Sequence, residues 1–443
     1  MPLKPRPIER VSFNDGLAGW AGQTVLIGVS GGGDSLALLH FATDWARETG
    51  SDLRPVIIDH GLRMESTDEA AFAAGRAQAL GWTPVIERWR ASKSDTGLQA
   101  AARQFRLETF ARLAGEAGAQ AVLLGHTLDD QAETVWRRLL AGAGAEGLTA
   151  MSPIDPMPLW PAGRGIFLVR PLLNVRRRAL RQWLTEAGER WIDDPSNINP
   201  AYSRVRDRAV LSKLESQGFD PARLAAMATQ LQGRQRRDAA AAGRWLMQHA
   251  RFHGWGGVML PGGAAIPVTA MDALRAAVSG DPAPDARAAR KLSAALKAGD
   301  AVTAGGAALS HRKGKAVLFR DPGHVTGRAD KTRNRANSVR MSGITIWDGR
   351  FEVSDAALDI LPFAAASAEG AEVPSMDAIP PAARASLPAI VKQGEFQGVA
   401  GFCPEISGVR WLADELVARN LFGDRPPAWF HTQLRDQSAQ GSH

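Results

Sequence analysis

The 443-residue chain has a single cysteine, Cys403. It can therefore form no intrachain disulfide, and it cannot by itself supply a multi-cysteine metal centre or a paired-cysteine sulfur relay. No apolar run approaches the roughly 20 residues needed to span a membrane. The opening segment, MPLKPRPIER, also lacks the apolar stretch of a signal peptide. These absences point to a reducing compartment, with no membrane partner, and a cytoplasmic location is the expectation. Acidic charge is in deficit: 53 Lys and Arg face 46 Asp and Glu, a net charge of +7. Arginine supplies most of the positive charge, which suits forked recognition of phosphate, although a basic balance alone decides nothing about partners. A chain of this length is expected to hold two to three domains, each able to bury its own core.

What is present is concentrated first in VLIGVSGGGDSLALL, residues 25–39. An apolar run through Val29 reads as a buried strand; three glycines and an apolar helical pattern follow, so the stretch is a strand, a glycine turn and a helix N-terminus. Such a turn aims backbone N–H groups and the positive end of the helix dipole at one spot, where a phosphate is the expected occupant. Spacing decides among nucleotide motifs. The dinucleotide fingerprint fails, because counting from Gly28 puts Ser30 where its second glycine should be. The mononucleotide P-loop GxxxxGK[ST] fits Gly28 to Ser35 except that Asp34 replaces the lysine. A carboxylate beside phosphates works through a bound cation, and magnesium is the expected one. Ser30, Gly31, Gly32, Gly33, Asp34 and Ser35 thus resemble the SGGxDS loop of the N-type ATP pyrophosphatases, or PP-loop enzymes. That likeness implies an α/β domain that holds the pyrophosphate of ATP and cleaves between the α- and β-phosphates.

Strands and helices then alternate, which predicts a parallel sheet covered on both faces. The strand at 55–58 ends in Asp59 and His60, at the edge of the ligand crevice of such a sheet; Asp59 either faces the nucleotide or caps a turn. On the helix expected over 99–117, Arg103 and Arg106 share one face. A strand over 121–124 leads to GHTLDDQAET, residues 125–134. Asp130 and Glu133, three apart, project from one side of the first helical turn. Two acids on one side call for a cation: magnesium, a substrate ammonium, or the helix N-terminus itself. The glycine-rich stretch 142–148 reads as a loop able to close over substrate. FLVRPLL, residues 167–173, reads as a further strand, and an arginine cluster, Arg176, Arg177, Arg178 and Arg181, opens the next helix.

Taken with WIDDPSN (191–197) and YSRVR (202–206), these elements resemble the tRNA(Ile)-lysidine synthetase family over residues 23 to 215. The resemblance implies ATP-dependent ligation of L-lysine to carbon 2 of the wobble cytidine in CAU-anticodon tRNA(Ile), through an adenylated cytidine. It implies that Ser30 to Ser35 bind ATP, with Asp59 and His60 near the adenosine, and that Asp34 holds Mg2+. His126, Asp130 and Glu133 would border lysine and cytidine, Arg106 would face the transition state, and Asp193, Asp194, Arg204 and Arg206 would lie near tRNA and lysine. The rival readings are another PP-loop tRNA-modifying enzyme such as a tRNA thiolase, which the lone cysteine supplies poorly, and a catalytically silent tRNA-binding protein. Sequence leaves open whether the chain is a monomer or a homodimer.

The expected organisation is a catalytic domain over 1–215, a mainly helical tRNA-orienting domain with a terminal β-hairpin over 216–325, and a small mixed α/β domain over 341–443. Alanine-rich helical patterns occupy 222–253 and, in two pieces, 271–298; the hairpin tip falls at Arg312 to Lys315. The basic, polar stretch 328–340 reads as a linker, and the polar residues after Arg435 as a disordered tail.

Overall fold

The computed structural model describes residues 10–61, 65–89, 97–193, 203–312, 314–326, 338–341, 343–366, 379–403, 406–423, 426, 427 and 430. The chain divides into two compact units, residues 1–159 with 163–235 and residues 160–162 with 236–443.

In the first unit α1 (Arg10–Leu17) precedes a regular alternation: β1 (Thr24–Gly28), α2 (Gly33–Thr49), β2 (Asp52–Asp59), α3 (Ser66–Ala79), β3 (Val85–Arg88), α4 (Leu98–Ala117), β4 (Ala121–Leu123) and α5 (Leu128–Leu140). Then come β5 (Ile154–Pro156), β6 (Phe167–Val169), α6 (Arg177–Glu186), α7 (Ser203–Ser216) and α8 (Ala222–His249), whose residues from 236 on belong to the second unit. The six strands form one sheet in the order β3-β2-β1-β4-β6-β5, parallel except for the edge strand β5. Side chains alternate across a strand, so Val25 and Ile27 enter the core that holds Leu38, Phe41 and Trp183, while Leu26 enters a second core with Phe110 of α4. Both faces of β1 are therefore covered, and each such aliphatic side chain contributes about 1.5–3 kcal/mol by leaving water.

The strand order positions the site. From β1 the chain moves outward to β2 and β3, then returns to place β4 on the other side of β1. Ligands of open parallel sheets bind beyond the strand ends at such a reversal. Here the glycine turn after β1 meets the segment after β4. Gly125 allows the approach: a Cβ there would stand 3.1 Å from the backbone oxygen of Asp34 and 3.2 Å from Cα of Ser35.

Three local expectations shift. Helix α2 starts at Gly33, because Gly32 provides an extended N-cap. The strand expected over 167–173 stops at Val169; Pro171 has no N–H for a ladder, and the chain turns through Leu173 N–H to Arg170 O (3.3 Å) and Val175 N–H to Leu172 O (2.9 Å). The long helix ends at His249, since Arg251–His253 pairs as a strand instead.

In the second unit, helices α9 (Val268–Ser279) and α10 (Ala286–Ala298) are accompanied by a five-stranded antiparallel sheet. Its strands are β7 (Arg251–His253), β8 (Gly257–Pro261), β9 (Val302–Ala304), β10 (Ala307–Arg312) and β11 (Lys315–Arg320), in the order β7-β8-β11-β10-β9. The hairpin lies where its basic tip was expected, with Arg312 opposite Lys315. After α11 (Pro322–Thr326) come β12 (Ser338–Met341), β13 (Ile344–Trp347), β14 (Phe351–Val353), β15 (Leu358–Pro362), β16 (Pro388–Lys392), β17 (Glu395–Val399), β18 (Val409–Trp411) and α12 (Ala413–Phe422). These strands form a four-stranded sheet, β12-β13-β14-β18, and a three-stranded one, β15-β16-β17. Leu274, Leu318, Ile346 and Leu416 belong to one core, so the second and third expected regions are packed as a single body. Residues 328–337 of the expected linker and the expected tail from Arg435 lie outside the described residues, while residues 338–340 of that linker belong to β12.

Candidate active site

The glycine turn is closed from inside and covered from outside. Gly31 has φ +81°, and a Cβ there would meet Ile192 Cδ1 at 2.8 Å; both conditions favour glycine. The Ser35 hydroxyl accepts from Ser30 N–H (3.2 Å) and donates to Gly32 O (2.9 Å). Residues 191–193 lie over the turn: Ile192 N–H donates to Gly31 O at 2.9 Å, a Cβ on Gly33 would stand 3.5 Å from Trp191 Cγ, and Asp193 accepts from Arg181 at 2.8 Å. The Arg181 guanidinium also stands 5.9 Å from the centre of the Trp191 ring. The WID segment is thus part of the loop's wall.

Asp34 sits in the first turn of α2. Its Oδ2 accepts from Arg177 Nε at 2.7 Å, while Oδ1 is buried and finds no hydrogen-bond partner among the described residues. Burial raises the Asp34 pKa, against the pull of Arg177. A buried carboxylate oxygen without a partner, at a helix N-terminus beside a phosphate-binding turn, fits a divalent ion held jointly by the protein and a triphosphate. The described residues contain no group of three or more His, Cys, Asp or Glu able to hold a metal by themselves.

Beyond β4, Thr127 caps α5. Its hydroxyl accepts from Asp130 N–H, and Asp130 Oδ2 accepts from Thr127 N–H and Oγ1, each at 2.8 Å. This reciprocal cap fixes the Asp130 rotamer and aims Oδ1 inward. Burial would raise the Asp130 pKa, but Arg177, His126 and the Thr127 bonds hold it below the usual value. Glu133, one turn on and buried, accepts from Arg208 Nε at 2.9 Å and from Arg177 Nη1 at 3.4 Å; Arg177 Nη2 reaches Asp130 Oδ1 at 2.7 Å. Asp129 faces elsewhere and accepts from the Arg177 backbone N–H at 2.7 Å.

On one side of these acids lies a cavity of about 310 Å³ whose lining includes Arg103, Arg106, Phe110, His126, Asp130 and Glu133. Burial, reinforced by Arg170, Arg106 and Arg103 and opposed by Asp130, lowers the His126 pKa to about 4. Its imidazole is therefore neutral at pH 7 and only weakly basic. The cavity joins cationic groups suited to a nucleotide with carboxylates suited to an ammonium.

The structure brings together most of the residues singled out by sequence: the glycine turn, Asp34, Arg106, His126, Asp130 and Glu133. Asp59 differs from its neighbours in the motif, for both of its oxygens are taken by its own chain. Oδ1 accepts from Gly61 N–H (2.9 Å) and Ser66 Oγ (2.8 Å); Oδ2 accepts from Arg88 Nε (2.9 Å) and Thr67 Oγ1 (3.2 Å). His60 stands edge-on to Trp89, and burial followed by the charge of Arg106 lowers its pKa. Asp194 and the side chain of Arg204 lie outside the described residues, and Arg206 is exposed on α7. Arg208, on the same helix, is the residue that touches Glu133. Neither Arg177 nor Arg208 was picked out from its motif. The signal for Arg177 was a cluster of four arginines, and helical spacing could not say which one turned toward the acids.

Residues 9–215 match the model of the PP-loop domain, over the stretch that holds the glycine turn and its sheet. The chain is similar to tRNA(Ile)-lysidine synthases. That of Caulobacter vibrioides is 44% identical over 185 residues, 41% of this chain and 44% of that protein. That of Hyphomonas neptunium is 44% identical over 185 residues, 42% of this chain and 50% of its own length. A Bradyrhizobium sp. synthase is 41% identical over 231 residues, 52% and 62% of the two chains. The chain thus spans about half the length of the curated relatives it matches.

Proposed function

We propose that the protein joins L-lysine to carbon 2 of the wobble cytidine of CAU-anticodon tRNA(Ile), giving lysidine, AMP and pyrophosphate. The observation that carries this reading is the shared wall of carboxylates: Asp34 faces the phosphate turn, and Asp130 and Glu133 face a cavity lined with arginine. In the proposed sequence the cytidine 2-oxygen attacks the α-phosphorus of ATP and pyrophosphate leaves. The lysine amine then attacks carbon 2, the carbon–oxygen bond to AMP breaks, and the amine gives up a proton.

Each group has a place in that scheme. The N–H groups of the glycine turn bind the phosphates, with Ser30 and Ser35 shaping the turn. Asp34 is the protein's ligand for magnesium, which when bound neutralises phosphate charge. Asp130 and Glu133 bind an ammonium of lysine, since charge-assisted bonds in a dry site are strong and directional. Arg106, with Arg103 and Arg170, meets the negative charge of the cytidine adenylate, and neutral His126 borders the lysine and the cytidine, while the amine's proton passes to solvent. Asp194, Arg204 and Arg206 contribute to the tRNA and lysine end, and Asp59 and His60 shape the adenosine side. The similarity to named lysidine synthases supports the same reading. A thiolase reading has only Cys403 to carry sulfur, and a silent binder gives no reason for three acids gathered round one arginine beside an ATP loop.

The test is incubation with a CAU-anticodon tRNA(Ile) transcript, ATP, magnesium and labelled lysine, omitting each in turn. Label entering the tRNA together with AMP and pyrophosphate is expected; release of ADP and orthophosphate, or unlabelled tRNA in the complete mixture, would refute the proposal.

A further inference from the structure

One guanidinium joins the two halves of the site. Arg177 Nε pairs with Asp34 (2.7 Å), Nη2 with Asp130 (2.7 Å) and Nη1 with Glu133 (3.4 Å). Each contact uses a different nitrogen and none is bidentate, so the cation is shared among three partners and not locked to one.

Much of what these acids need for their orientation is already provided elsewhere. Asp130 is fixed by the Thr127 cap, Glu133 keeps Arg208, and Asp34 is carried by the first turn of α2. The stem of Arg177 is anchored independently, by its backbone N–H on Asp129. With the guanidinium withdrawn, Asp130 Oδ1 and Glu133 Oε1 would converge on the space it leaves, as acceptors for another cation. The same group lies against Asp34 at the mouth of the glycine turn, where a triphosphate would bring several negative charges. Arginine meets phosphate oxygens through the fork it uses for carboxylates.

We propose that Arg177 is a placeholder cation: it occupies the ammonium position between Asp130 and Glu133 until the phosphates of ATP draw it away, so that nucleotide binding opens the lysine subsite. This rests on the ligase reading above and adds an order of binding to it. The two binding events are then coupled through one side chain, and linkage requires the coupling to be mutual. Pairing Asp130 and Glu133 internally also keeps a buried and a half-buried acid from standing uncompensated, which would be costly.

The experiment is equilibrium binding of labelled lysine to the full chain, with and without a non-hydrolysable ATP analogue and magnesium, for the wild type, Arg177→Gln and Arg177→Lys. For the wild type, nucleotide should tighten lysine binding by about 5- to 150-fold, the usual range for coupled sites. In Arg177→Gln, lysine should bind without nucleotide and the coupling should vanish. Arg177→Lys retains a placeholder and should retain part of the coupling; its circular dichroism spectrum and that of Arg177→Gln verify folding. Wild-type lysine binding that ignores nucleotide would overturn this inference and leave the ligase reading standing. So would undiminished coupling in Arg177→Gln. Failure of the wild type to bind lysine under every condition, tRNA included, would overturn both.

Discussion

Replacing Asp59 by Asn separates a residue that builds the site from one that touches the nucleotide. The carboxylate is 3% exposed and receives four donors from its own chain: Gly61 N–H, Ser66 Oγ, Thr67 Oγ1 and Arg88 Nε. Burial pushes its pKa up, but these donors together bring it from 3.8 down to about 2. A difference of nearly two units, at 1.36 kcal/mol per unit, makes the ionised group a contributor of about 2 kcal/mol to stability. The sign follows from a depressed folded-state value: the unfolded chain binds the proton more readily, so the contribution is complete above about pH 4 and disappears as pH falls through 2. In Asp59→Asn an amide NH2 faces donors on one side, so the variant should lose about 2 kcal/mol at pH 7. Urea unfolding of the first unit, followed from pH 7 to pH 2, should show wild type and variant converging at the acid end. A gap that stays constant across that range would refute the electrostatic account. ATP affinity at neutral pH, measured on the folded fraction, should fall only modestly if the carboxylate acts through the turn; a loss of a hundredfold or more with stability unchanged would place Asp59 on the nucleotide instead.

Two further outcomes follow from the geometry. Gly125→Ala sets a methyl 3.1 Å from the backbone oxygen of Asp34; because backbone and not a flexible side chain must give way, it should cost about 1–3 kcal/mol and weaken ATP binding in calorimetry, whereas Gly144→Ala, with nothing within 4 Å, should leave both unchanged. Asp130→Asn keeps an acceptor for the Thr127 cap but removes the charge at Oδ1, so lysine transfer to tRNA should fall at least a hundredfold while ATP binding persists; equal loss of both in the two assays would contradict the assignment of Asp130 to the amino acid.

The parts of this site legible in sequence are those set by local periodicity and turn chemistry. Strand, glycines and helix in direct succession define the phosphate turn, and an i, i+3 spacing is enough to put Asp130 and Glu133 on one side of α5. Asp129 beside them shows the limit: nothing in GHTLDDQAET distinguishes the acid that pairs with the α6 backbone from the acid that faces the cavity, because the cap geometry of Thr127 makes that choice. Long-range pairing is less legible still. Arg177 and Asp34 are 143 residues apart, and Arg208 and Glu133 are 75 apart; these meetings are decided by where β4 returns beside β1 and by how α6 and α7 pack afterwards. The same reasoning explains why the later half was read as two regions. Helical and strand patterns alternate there without any motif to link them, while Leu274, Ile346 and Leu416 enter one core only once the sheets are formed. In the site itself, the two acids that their spacing set on one side of α5 meet a cation, the guanidinium of Arg177. On the placeholder reading proposed above, lysine competes with Arg177 for these carboxylates. The proposed competition would favour lysine binding to a nucleotide-loaded enzyme, with only one side chain moving.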